Sequence, residues 1–167
     1  MARRAIANNA RQDECLLIRW SGRGHGVMLK LIALVDGGSA DLSLQLTYDQ
    51  RQKSRLRIRQ HNVEFGLLLP HGTVLQDGQH VRCEDGRIVV IRAAPEILSD
   101  VLCPDALVLA RVCYHLGNRH VALEIRSDRV RYQADHVLDA MIRQMGLGVS
   151  TVTTAFGPES GAFRHAH

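Results

Sequence analysis

Hydrophobic periodicity changes once along this chain, near Ala93-Ala94-Pro95, and that change constrains the fold more than any other feature. Upstream, from Cys15 to Ala93, apolar residues come in short runs broken by turn residues. The richest run extends from Val27 to Val35, and Asp36-Gly37-Gly38 ends it. Asp77-Gly78 and Asp85-Gly86 are hairpin signals, because glycine adopts the positive φ that primed turns need. The strands expected beside them are residues 74–75, 81–83 and 88–91, and Pro70-His71-Gly72 marks a further turn. This half reads as a small all-β domain.

Downstream the period lengthens. Residues 97–102 suit a strand. Pro104 suits the first turn of a helix, where its missing N–H does no harm. Ala106, Leu109, Ala110 and Cys113 then recur at helical spacing, and Gly117-Asn118 ends the helix. Val121, Leu123 and Ile125 alternate with Ala122, Glu124 and Arg126, the pattern of a half-buried strand with its apolar side on the odd numbers. Residues 129–133 form the next strand. Asp135 caps a second helix whose stripe is Leu138, Met141, Ile142 and Met145, stopped by Gly146 or Gly148. Residues 150–156 close the series. The order β-α-β-β-α-β is the ferredoxin-like arrangement. The predicted fold class is therefore α+β in two domains, residues 1–94 and 95–167, with residues 1–13 read as a flexible lead-in.

Several function classes recede at this point. No HExxH, GxSxG or GxxxxGK[ST] motif occurs, so the chain reads as a non-enzyme. Cys15, Cys83, Cys103 and Cys113 form no CxxC pair and sit beside apolar residues, which suits small buried hydrophobes in a reducing cytoplasm. The basic start Met1-Ala2-Arg3-Arg4 lacks the apolar core of a secretory signal, and no apolar run is long enough to span a bilayer. The net charge of +4 is too small to imply nucleic acid alone. Arg51, Lys53, Arg55, Arg57 and Arg59 do alternate, and a strand would display them on one face. That stripe supports an alternative function, a basic nucleic-acid-binding β module with a regulatory metal site. Its plainer reading is a solvated strand face with acidic neighbours such as Glu64. The plainer reading is preferred, with no nucleic acid or membrane as partner.

The remaining signal is imidazole, the commonest protein ligand for borderline transition metals. His115 and His120 flank Gly117-Asn118, His136 follows Asp135, and the last residues are His165-Ala166-His167. On an unbroken helix five residues turn about 140°, so His115 and His120 would not share a face. His120 has the parity of Ala122 and Glu124 and is expected to point away from the apolar side of its strand. One exposed imidazole cannot hold a metal tightly, whereas a twofold axis beside His120 would supply a second automatically. His136 falls at the first helical position. His165 and His167 follow Gly157, Pro158 and Gly161, which suit a flexible connection. By spacing alone each histidine also fits an ordinary helix-end or surface role, and His25, His61, His71 and His80 read as surface residues of the first domain.

From Leu46 onward the chain resembles the urease accessory protein E family. The resemblance is carried by Arg55-Leu56-Arg57 leading to Gly66-Leu67-Leu68-Leu69-Pro70, by Val81 through Val90, and most specifically by Ala110 to His120 with Asp135-His136-Val137-Leu138-Asp139. It implies a first domain like the peptide-binding domain of J-proteins and a ferredoxin-like second domain. It further implies a homodimer formed through the second domains, with His120 of each chain on one Ni²⁺. The ligands expected to complete the set are drawn from His165 or His167, with His136 as a further candidate. Ala134 stands where the family's other accessory ligand falls, which weakens that additional site. The implied function is a cytoplasmic nickel metallochaperone serving the urease accessory GTPase and the urease apoprotein complex. Zn²⁺ and Cu²⁺ are expected competitors at imidazole sites.

Overall fold

Alternation of apolar and polar residues builds most of the first unit. The computed structural model describes residues 28–160, and it divides into two units at Ala93. The first unit contains β1 (Met28–Val35), β2 (Leu42–Leu46), α1 (Tyr48–Arg51), β3 (Arg55–Gln60), β4 (Val63–Leu68), β5 (His80–Cys83) and β6 (Ile88–Ala93). The six strands form one sheet in the order β2-β6-β5-β1-β4-β3. Its core gathers Leu29, Leu31, Leu44, Leu46, Phe65, Leu67, Val81, Val89 and Ile91, each removed from water by the period-2 rule of its strand.

Two expectations for this half need correction. The first unit is not purely strand, because α1 supplies one helical turn. Thr47 caps it by accepting the Gln50 N–H, and the Gln50 side chain accepts the Thr47 N–H in return. Thr-x-x-Gln is a capping box, so the signal was present in the residues. Residues 74–75 form no strand; Leu75 instead donates its N–H to the Arg51 carbonyl and buries its side chain. Asp85-Gly86 does join an antiparallel pair, β5 with β6. The N-terminal lead-in, Cys15 and His25 lie outside the described residues.

The second unit contains β7 (Pro95–Leu102), α2 (Ala106–Gly117), β8 (Glu124–Ile125), β9 (Arg129–Gln133), α3 (His136–Gln144) and β10 (Ser150–Ala155). Its four strands lie in the order β10-β7-β9-β8, every neighbouring pair antiparallel. One face of this sheet carries Val101, Val130 and Tyr132, which share a core with Val112 and Leu116 of α2 and Ile142 of α3. The stripe Leu138, Met141, Ile142 and Met145 packs into that core as its spacing predicts. Pro104 stands outside α2, not in its first turn, since Asp105 is the cap and accepts the Val108 N–H.

Cross-strand partners on the other face are charged. Asp100 pairs in register with Arg131, and Arg131 with Glu124. Asp100 and Glu124 are 5% and 3% exposed, and Arg131 reaches both, at 2.6 Å and 3.3 Å. A buried carboxylate persists only with such partners, because removing its charge from water is otherwise costly.

Candidate metal centre

The local chemistry around His120 follows from how α2 ends. Val121 donates its N–H to the Leu116 carbonyl at 3.4 Å, and His120 donates to the Gly117 carbonyl at 2.9 Å. This pair of bonds is the Schellman arrangement, in which one residue must turn left-handed. Glycine normally fills that place, because a Cβ there meets backbone. Here it is His120, with φ of 56°. An imidazole thus occupies a strained position that its own backbone does not favour, and the strain is of the order of 1–3 kcal/mol. Such an outlier directs attention to the side chain, which is exposed.

The predicted reason for that exposure was wrong. β8 spans only Glu124–Ile125, so His120 lies in the turn and not on a strand. The expected alternation also fails. Glu124 is buried and Ile125 is 38% exposed, because Glu124 is drawn inward by Arg131, by Arg126 at 2.9 Å and by the Gly157 N–H at 3.0 Å. Strand parity therefore says nothing about His120; its left-handed turn does.

His136 is the first residue of α3 and is exposed. Asp135 before it accepts the N–H groups of Val137 and Leu138 at 2.8 and 3.0 Å. Those two donors, led by Leu138, hold the Asp135 carboxyl below the usual carboxylate range. Asp139, one turn on, accepts hydroxyls from Ser99 at 2.7 Å and Tyr132 at 2.8 Å and so ties α3 to the sheet. Burial, reinforced by the Asp139 carboxylate, pushes the Tyr132 phenol up. Asp139 was not singled out from the sequence; the signal was a carboxylate beside Leu138 in the apolar stripe. His115 is exposed and packs edge-on to Tyr114 with centroids 5.4 Å apart.

His165 and His167 lie outside the described residues. Among the described residues no three His, Cys, Asp or Glu side chains are grouped closely enough to hold a metal ion. The structure therefore brings His120 and His136 to the surface of one unit, and the described residues alone assemble no ligand set.

The basic stripe contracts. Only Arg55, Arg57 and Arg59 share the exposed side of β3, and Arg57 pairs with Glu64 across the hairpin. Arg51 belongs to α1, 2% exposed, with its guanidinium 5.8 Å from the Tyr48 ring centroid. Lys53 lies in the turn before β3. No helix among the described residues is long and apolar enough to cross a membrane.

Comparison with known proteins follows the same division of the chain. The family model described as the N-terminal domain of the UreE urease accessory protein matches residues 32–94, and that of its C-terminal domain matches residues 96–167. A urease accessory protein UreE of Vibrio parahaemolyticus is 47% identical over 119 residues, covering 71% of this chain and 75% of its own length. That of Proteus mirabilis is 47% identical over 135 residues, covering 80% of this chain and 84% of its own. That of Citrobacter koseri is 47% identical over 130 residues, covering 75% and 86%.

Proposed function

The chain belongs to the UreE family of urease accessory proteins, and from that premise we propose that it is a nickel metallochaperone for urease maturation. It is an accessory protein, not an enzyme. Ni²⁺ is its cargo. The observation that carries the site assignment is His120, an exposed imidazole held in the left-handed position that closes α2.

The proposed first ligands are His120 of two chains, with His165 or His167 completing the set and His136 as a further candidate. A homodimer through the second unit is supported by the outer side of α2. Leu107 and Tyr114, two turns apart, are 61% and 65% exposed. Apolar surface of that kind, with Tyr114 in the last turn of α2 before His120, suits contact with a second copy. Few protein ligands also suit a carrier, since release requires ligand exchange. Cu²⁺ and Zn²⁺ would compete, as imidazole sites favour Cu²⁺ over Ni²⁺.

The second unit is read as a ferredoxin-like domain, which the strand order β10-β7-β9-β8 and the placement of both helices in one core support. We assign residues 1–94 to protein or peptide binding in the manner of J-protein domains, and residues 95–167 to metal binding and dimerisation. Ile32, Leu34 and Leu68, each more than a third exposed on the first unit, suit such contacts. The partners proposed are the urease accessory GTPase and the urease apoprotein complex, in the cytoplasm. The nucleic-acid alternative loses its main support with the contraction of the arginine stripe.

Reconstituted activation tests the function. Apo-urease and its accessory proteins are supplied with nickel only as the preloaded protein, with a weak chelator removing free metal. Activation by the native protein and failure by His120→Ala are the expected results. Equal activation by both would remove His120 from the delivery path.

A further inference from the structure

The two faces of the first sheet differ in kind. β1 and β4 run parallel, with Leu31 in register with Leu67 and both in the core. One residue on, Ile32 and Leu68 are each 37% exposed, so they stand on the opposite, outer face. Gly66 shares that face, and the Met28 sulfur lies 3.1 Å from where a Cβ on Gly66 would stand. Met28 thus covers the gap with a flexible, polarizable side chain, the kind that adapts to a binding partner. Met28, Ile32 and Leu68 form a short apolar strip along β1 and β4.

Cations border the strip. Arg55, Arg57 and Arg59 line the exposed side of β3, in register with Leu68, Gly66 and Glu64. On the other flank β5 presents Arg82 beside β1. The carboxylates on this face are already engaged, Glu64 with Arg57 and Glu84 with Lys30 at 2.9 Å. Arg55, Arg59 and Arg82 form no salt bridge among the described residues. Surplus positive charge on both sides of an apolar strip selects a partner that is apolar and acidic.

Spacing selects the partner's form. Alternate residues of a strand such as β3 stand about 6.8 Å apart. Carboxylates at i and i+4 of an α-helix are about 6 Å apart along its axis and can meet successive arginines. The strip is two strands wide, roughly 10 Å, which is also the diameter of a helix with its side chains.

We infer that this outer face docks an amphipathic helix of a partner protein, its apolar stripe on Met28, Ile32 and Leu68 and its flanking Asp and Glu on Arg55, Arg59 and Arg82. This rests on the assignment of the first unit to protein binding and is independent of the nickel site.

The test uses fluorescence anisotropy of a labelled helical peptide with a leucine stripe edged by glutamate, beside the same peptide with every Glu replaced by Gln. The full chain should bind the glutamate peptide, more weakly as salt rises, and prefer it to the glutamine form. Arg55→Gln with Arg82→Gln should weaken binding about fivefold, the worth of two exposed ion pairs. Leu68→Gln should cause a comparable loss. Arg55→Glu with Arg82→Glu should reverse the preference toward a lysine-edged peptide, a gain that misfolding cannot produce. Equal binding by native chain and variants overturns the face, while the first unit stays a protein-binding unit. No binding by the native chain overturns the proposal; co-purification with the urease apoprotein complex then decides the assignment of the unit separately. A single-stranded oligonucleotide that displaces the peptide and is lost in the same variants assigns the face to nucleic acid and overturns it. A mass above the dimer that Leu68→Gln abolishes assigns it to a second copy and overturns it as well.

Discussion

At residue scale, His120 combines two separable properties: an exposed imidazole, the proposed nickel ligand, and a backbone that resists its own conformation. The φ of 56° favours glycine, so His120→Gly should relieve strain and stabilise the second unit by about 1 kcal/mol. For a unit of this size that is roughly 4–8 °C in melting temperature. The same variant should lose the tightest Ni²⁺ site. Thermal melts beside nickel titrations check the pair; a variant less stable than native would show that the imidazole packs within its own chain. Cys83 has the opposite character. It is 1% exposed, and burial pushes its thiol from 9.0 up to about 11. The folded state therefore keeps a proton that the unfolded state sheds. Its contribution to stability is complete below pH 9 and is lost as pH rises towards 11. Native protein at pH 8 should resist thiol alkylation at Cys83, and mass spectrometry of alkylated peptides measures this.

At the scale of elements, the helix caps decide how His136 is presented. Asp135 satisfies two N–H groups at the start of α3. Asp135→Ala should cost about 1 kcal/mol, read in denaturant melts, with the dimer retained. An unchanged midpoint would mean that α3 is held by Asp139 alone. The elements legible from sequence were those with an uninterrupted period, such as α3 with its Leu138-Met141-Ile142-Met145 stripe, and those with a glycine turn, such as β5 and β6. β8 was misread because ion pairing overrode hydrophobic pattern: Arg131 and Arg126 draw Glu124 inward and leave Ile125 outside. The strand assigned to residues 74–75 failed for a different reason. Leu75 gains its burial from a bond to α1, a contact that local pattern cannot register. His120 was identified by its residue type and neighbours, while its left-handed turn was hidden, because the Schellman place is ordinarily signalled by glycine. The burial of Glu124 had no hydrophobic signal, since its partners come from β9, residue 126 and the Gly157 N–H.

At the scale of the whole molecule, the described residues of one chain offer scattered imidazoles, and the proposal pairs them across two chains. Leu107 and Tyr114 are exposed, and the proposed dimer would bury them. Replacing both by Asp should yield monomer by light scattering and remove the tightest nickel step, with far-ultraviolet dichroism unchanged because neither side chain is in the core. A dimer that survives the double change would move the interface elsewhere. The central claim, one Ni²⁺ held between two His120 side chains, is tested most directly by calorimetric nickel titration with the oligomeric mass measured on the same sample. The account predicts a dimer whose tightest step saturates at one Ni²⁺ per two chains and disappears in His120→Ala while the mass stays dimeric. An unchanged isotherm for His120→Ala would contradict it.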